Sequence, residues 1–415
     1  MKHNFILIIV FSVIITSIIG CGGGGGGSSS PSLTTLLSVE EAKQHGKWTI
    51  LVYLNADNDL ESSGIHNMNQ MESIGSTRDV RIVVQMDRIN GYDTSNGNWT
   101  DTRRFLIIRD NNPNLITSPR LDESNPLGEL DMGSEQTLLD FVQWGMNEFP
   151  ADHYALVIWD HGTGWQIRTL SLENQKKAIS YDDTSGSAIN INKIADVFDG
   201  KGIDIIAFDA CFMMQLEVAY ELKNSARYMI GAPSTEPAPG YNYARILSRI
   251  NANTTPMQLS RIIVEEYYSE YSNRRAISLT AVDLNRMNSV STALENFVQA
   301  ISQNAAGKYS QYNQARIDSL NYSTIDGGFQ RHSLDLLDYA QRCAVISGDA
   351  AISAYSNLEA VLNNAIVAKR YSSDLVNATG MSIYIPSPDR FDNRYEILKL
   401  SNDTSWNEWL QWQGQ

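Results

Sequence analysis

Tyr154-Ala155-Leu156-Val157-Ile158-Trp159-Asp160-His161-Gly162 and, further along the chain, Ile203-Asp204-Ile205-Ile206-Ala207-Phe208-Asp209-Ala210-Cys211 decide the fold. Each begins with an apolar run of strand length and little polar alternation, the pattern of a strand covered by helices on both faces. In open α/β sheets of that kind the reacting groups gather at the carboxyl ends of the strands. Each run ends there in a chemically capable side chain, an imidazole in one case and a thiol in the other. Such a pair is a nucleophile and its base only if the two are adjacent in space, and parallel strands supply the adjacency. The spacing itself carries little, because many histidine and cysteine pairs would satisfy it.

Outward from these two strands the chain alternates strand and helix. Residues 49–55 read as a first strand, and Asp57-Asn58-Asp59 supplies turn and cap residues for a helix through residue 74, or a cation site. Residues 81–86 form a second strand, and 104–108 a hairpin or edge strand. Ser134 caps a helix with Leu138, Phe141 and Val142 on one side, ending before Pro150. After the His161 strand come a polar excursion, a short helix over 192–199 and the Cys211 strand. A helix over 213–222, strands over 228–231 and 276–284, helices from Pro256 and Asn285, and a late strand over 381–385 follow. Trp406, Trp409 and Leu410 recur at helical spacing and read as core packing. The alternation predicts an α/β fold, doubly wound on a mainly parallel sheet.

The chemistry at the two strand ends can be worked out from the residues. A free thiol has a pKa near ~8.5, so a reactive cysteine needs help from its surroundings. Cys211 would gain it from the positive end of the helix predicted directly behind it and from His161. Alone, Asp209-Ala210-Cys211 would read as a buried structural cysteine. Glycine at 162 lets backbone approach a substrate, and its N–H with that of Cys211 would bind a carbonyl oxygen as it becomes an oxyanion. His161 would then protonate the leaving amine and activate the deacylating water. Asp209 lies two residues before Cys211 and so on the same face of the strand, where a carboxylate can meet a substrate guanidinium or ammonium. Its plainer reading is an anchor for loop N–H groups. Asp160 precedes His161 similarly, but its spacing assigns it no role.

Composition bounds the rest. The formal charge of −15 argues against nucleic acid and anionic lipid as partners and suits attraction of cationic peptides. There are three cysteines, so bridging Cys211 to Cys343 would consume the nucleophile, and no disulfide framework is expected. Cys343 reads as a small buried apolar residue. No zinc-ligand spacing occurs, and no metal site is predicted. Residues 1–20 have a basic start at Lys2, an apolar core and Gly20 before Cys21, and look like a bacterial lipoprotein signal with Cys21 as the lipidated residue. An uncleaved anchor and an ordinary secretory signal are the alternatives. Residues 21–46 open with a Gly/Ser-rich tether whose dozen flexible residues reach about 20 Å. The expected location is the bacterial cell envelope, exported and lipid-anchored.

The words around the two strand ends are more specific than their spacing. Pro150-Ala151-Asp152-His153 leading into the first run, Thr163-Gly164-Trp165 after it, Phe212-Met213 after Cys211, and Glu217-Val218-Ala219-Tyr220-Glu221-Leu222 resemble the clostripain family of cysteine peptidases. So do Trp48-Thr49-Ile50-Leu51-Val52-Tyr53, Ser234-Thr235-Glu236, Gly240-Tyr241-Asn242-Tyr243 and Gly380-Met381-Ser382-Ile383-Tyr384-Ile385-Pro386. The resemblance covers nearly everything after residue 47. It implies a caspase-like three-layer αβα sandwich with a C-terminal extension: a peptidase domain over 47–415, with a catalytic core of about 47–285 and an accessory part of about 286–415. It implies hydrolysis of peptide bonds after Arg or Lys in protein or peptide substrates, by a His161–Cys211 dyad through an acyl-enzyme. It also gives Gly162 the oxyanion role and Asp209 the binding of the basic residue. Family members are often matured by a cut between the histidine and cysteine strands, for which Lys176-Lys177 offers basic sites. Some relatives need calcium, though no recognisable loop encodes it here; otherwise no cofactor is expected, and the chain is expected to be a monomer. A catalytically silent, surface-tethered peptide-binding protein on the same fold is the alternative.

Overall fold

The computed structural model describes residues 36–166, 179–324 and 332–412. Cys21, Lys176 and Lys177 lie outside the described residues. The strands, in chain order, are β1 (Gly46–Ala56), β2 (Val80–Arg88), β3 (Arg103–Leu106), β4 (Ala151–Trp159), β5 (Ile179–Asp182), β6 (Ser187–Ile189), β7 (Ile203–Asp209), β8 (Ala226–Gly231), β9 (Ser278–Asp283), β10 (Ser333–Asp335), β11 (Ile366–Tyr371) and β12 (Ser382–Tyr384). Eight of them form one sheet in the order β11-β9-β8-β7-β4-β1-β2-β3. Its centre, from β2 through β1, β4 and β7 to β8, is parallel. The antiparallel members are β3 at one edge and β9 and β11 at the other. The mainly parallel sheet is therefore as expected, and β3 is the edge strand foreseen near residue 104.

The near absence of alternation in β4 and β7 has the expected cause. Leu156, Ile158, Ile206 and Phe208 enter one apolar core, while Ala155, Val157, Ile205 and Ala207 enter a second on the opposite face. Helices Glu135–Glu148, Ile191–Phe198 and Met287–Ser302 cover the first face, and Glu61–Glu72 and Pro256–Tyr271 the second. Ser134 caps its helix by accepting from Gln136 N–H. Trp406, Trp409 and Leu410 are buried in the first core. From Leu36 onward the chain forms one compact unit, and the residues after 286 supply both β11 and several helices of the first layer. Among the described residues no helix is long and apolar enough to cross a membrane.

The helix expected behind Cys211 is shorter than foreseen. The helix foreseen over 213–222 starts only at Leu216 and ends at Glu221. Phe212 adopts φ 60°, and the N–H groups of Phe212 and Met214 donate to Ser234 O and Ala232 O. The segment after Cys211 thus pairs with the chain leaving β8 instead of coiling. A helix terminus falls off within its first turn, so it does not support the thiol.

Candidate active site

Trp159 and Asp209 are paired across β4 and β7, so the two strands leave the sheet level with one another and His161 and Cys211 follow two residues later on each side. The loops touch: a Cβ on Gly162 would sit 2.4 Å from the Cys211 carbonyl oxygen and 3.0 Å from Ala210 Cβ. Only glycine fits this approach. Both loops open into a cleft of about 540 Å³ that His161, Gly162, Asp209, Cys211 and Glu236 all line. The structure therefore brings together every site residue read from the sequence that lies within the described residues.

Cys211 is partly buried, and its Sγ accepts from Glu236 N–H at 3.2 Å. That donor, from the loop after β8, stands where the helix terminus was expected. Cys343 is also free but wholly buried, and burial pushes its thiol up to about 12, which leaves it inert.

His161 is held from three directions. Its Nε2 lies 2.7 Å from Asp59 Oδ1, and the ring of Tyr181 meets it edge-on at 6.1 Å. Beneath it, the buried carboxylate of Asp160 accepts from His161 N–H, from Tyr181 N–H and from Asn58 Nδ2 at 2.9 Å. Burial raises the Asp160 pKa, and these three donors oppose the shift. Asp160 thereby joins the end of β4, the loop after β1 and β5. The Asp57-Asn58-Asp59 run does not cap the following helix through a side chain, because Leu60 occupies that position. Asn58 instead donates to Asp160 and to Tyr181 O, and Asp59 reaches His161. No local pattern announces such use, because the partners lie more than a hundred residues away.

Asp209 anchors a loop and also faces the cleft. Its carboxylate accepts from Tyr241 N–H at 3.0 Å and Tyr243 OH at 2.9 Å. Gly240, at φ 80°, packs so closely that a Cβ would lie 2.1 Å from Asp209 Oδ1. Beside it sits Glu236, whose two carboxyl oxygens are buried. Burial raises the pKa of both acids; the Asp209 charge raises Glu236 further, while the Tyr241 N–H and Tyr243 OH pull Asp209 back. Of the two, Asp209 is held lower and ionises first. The sequence assigns Glu236 no function, since nothing local marks a residue after β8 as a neighbour of one in β7. Arg274 and Arg275 also reach the cleft, but at its rim. The Arg275 side chain is 90% exposed and pairs with Asp374, and Arg274 lies over the Tyr271 ring.

Among the described residues one cluster has metal-ligand character, Asp57, Asp87, Glu129 and Asp182, and none of the four lines the cleft.

This architecture is shared with solved proteases. A secreted C11 cysteine protease from Bacteroides thetaiotaomicron, in complex with an irreversible peptide inhibitor, aligns with a TM-score of 0.64 and 20% identity over 87% of this chain and 99% of its own. An inactive zymogen C11 protease from Parabacteroides distasonis aligns with 0.64 and 19% over 86% and 98%. The fold is therefore the caspase-like one of the C11 cysteine proteases. Clostripain from Hathewaya histolytica is 25% identical over 437 aligned residues, covering 89% of this chain and 81% of that protein. Residues 52–412 match the Clostripain family, and the chain belongs to it. It is a cysteine-type endopeptidase acting on protein or peptide substrates.

Proposed function

We propose that the chain cleaves peptide bonds after Arg or Lys, using Cys211 as nucleophile and His161 as acid and base. The observation that carries this reading is the Asp209 carboxylate, buried in the same cleft as the thiol and braced by Tyr241 and Tyr243. A guanidinium or ammonium entering there meets a preformed opposite charge in a desolvated setting. The rim cations Arg274 and Arg275 are exposed, so salt screens them more than it screens Asp209.

In the acylation step the Cys211 thiolate adds to the scissile carbonyl, and the oxyanion is received by the N–H groups of Gly162 and Cys211. The C–N bond then breaks as His161 gives its proton to the amine. Water, deprotonated by His161, next adds to the thioester and expels the Cys211 thiolate with the new carboxylate. With Nε2 engaged by Asp59, the other ring nitrogen is the one that moves the proton.

An arginyl or lysyl acyloxymethyl ketone tests the mechanism. Wild-type protein should be labelled on Cys211 with the leucyl analogue reacting far more slowly, whereas labelling that persists in Cys211→Ala overturns the reading. No labelling of the wild type would favour the silent peptide-binding alternative.

We further propose export and lipid anchoring through Cys21. A relative of known structure is described as secreted, and the Gly/Ser-rich run after Cys21 suits a short tether. Membrane fractionation tests it: the wild type should sediment with the envelope and Cys21→Ser should not.

A further inference from the structure

Arg274 and Arg275 are the only lysines or arginines among the described residues that line the cleft, and strand order puts both on one side of it. The sheet runs β4-β7-β8-β9, so His161 after β4, Cys211 after β7 and Glu236 after β8 stand in that sequence along the carboxyl edge. β9 is antiparallel to β8 and therefore starts at the same edge, and the segment leading into it carries the two arginines. Contacts join these last two segments. Tyr271 OH donates to Gly240 O at 2.6 Å, and the Arg274 guanidinium lies 5.2 Å from the centre of the Tyr271 ring. The arginines thus stand on the far side of Cys211 from His161.

That separation decides which half of a substrate meets them. The leaving amine takes its proton from His161 and must lie beside that ring. The acyl half, held on Cys211, extends the other way, past the loop after β8 and toward Arg274 and Arg275. Their charges are weakly compensated within the protein: the Arg275 side chain is 90% exposed and meets Asp374 only at 3.6 Å, and no carboxylate among the described residues pairs with Arg274. The two cations are also at odds with their surroundings. The chain carries a formal charge of −15, and a basic side chain bound for Asp209 has to enter past them. A carboxylate upstream in the same substrate removes the conflict, because it pairs with the arginines while the basic side chain goes to Asp209. The guanidinium fork suits that partner, since it can hold a carboxylate through two parallel N–H···O bonds.

We propose that Arg274 and Arg275 form a subsite for an acidic side chain in the acyl half of the substrate, so that preferred substrates carry Asp or Glu shortly before the basic residue at which they are cut. This deepens the proposed function and rests on its assignment of His161 as the proton donor to the leaving amine.

Fluorogenic peptides ending in arginyl-aminomethylcoumarin test it, because they have no residues beyond the scissile bond and report on the acyl half alone. Asp, Ala or Lys is placed in turn at each position before the arginine. At low ionic strength kcat/KM at the responsive position should be roughly 3- to 10-fold higher for Asp than for Ala, the scale of two exposed ion pairs. The advantage should vanish at about 1 M NaCl, where the Debye length is about 3 Å. The net charge of the chain alone would give the opposite order. Arg275→Glu, at an exposed side chain, should reverse the preference so that Lys exceeds Asp, and Arg274→Gln should reduce it. The same series ending in leucyl-aminomethylcoumarin separates this subsite from Asp209: an Asp advantage there supports it even where Arg and Leu peptides are cut equally. A wild type that favours Ala or Lys over Asp at every position overturns the proposal, and so does an Asp preference that both variants retain.

Discussion

Replacing Asp209 by Asn tests the specificity argument most directly, because the change removes a charge while keeping the shape. The amide oxygen can still accept from Tyr241 N–H and Tyr243 OH, so the loop at Gly240 should stay in place. What disappears is the partner of a cationic substrate side chain. Breaking a buried hydrogen-bonded charge pair costs about 2–5 kcal/mol. Asp209 already receives two donors in the free protein, so the lower part of that range applies. About 2–3 kcal/mol corresponds to about 30- to 150-fold in rate. The ratio of kcat/KM for matched Arg and Leu peptides should fall by that factor in Asp209→Asn, with labelling of Cys211 by a small alkylating agent unaffected. Because burial lifts Asp209 above the ordinary carboxylate range, kcat/KM for Arg peptides should also rise as pH increases and the acid ionises. An Arg to Leu ratio unchanged by Asp209→Asn would refute the reasoning outright.

Gly162→Ala forces a methyl against the Cys211 carbonyl, so the two loops must part; a fall in kcat of roughly 10²- to 10³-fold with a lowered melting temperature is expected. Glu217, fully buried and accepting from Tyr384 N–H and Tyr395 OH, is pushed up to about 7. A raised acid contributes stability that is fully present below its ordinary pKa near 4.5 and is lost as pH rises through 7, about 3 kcal/mol in all. Urea unfolding from pH 4 to 8 should show that decline in the wild type and a flatter profile in Glu217→Gln, and parallel curves would exclude it. Maturation at Lys176 or Lys177 predicts two fragments by intact mass in wild-type protein and a single chain in Cys211→Ala; a fully active uncut chain would show the cut to be unnecessary.

The parts of this site that sequence alone reveals are those whose neighbours are set by the sheet. Apolar runs without alternation, each ending in one reactive residue, place β4 and β7 between two helical layers, and parallel pairing then brings His161 beside Cys211 with no further information. The support of each residue is another matter. His161 rests on Asn58, Asp59 and Tyr181, Asp209 on Tyr241 and Tyr243, and the thiol on the Glu236 N–H. All of these come from segments beyond the carboxyl edge whose mutual approach depends on strand order, and strand order leaves no local trace. The helix behind Cys211 fails for the same reason. Apolar periodicity sees Met213, Met214 and Leu216 as one helical face, but Phe212 and Met214 give their N–H groups to the chain beyond β8. The carboxylate cluster is the extreme case, with its four members spread from residue 57 to residue 182 and no two on the same element. A contiguous run of ligand residues can be found by spacing, whereas a cluster assembled across strand ends can be found only once the strands are in order.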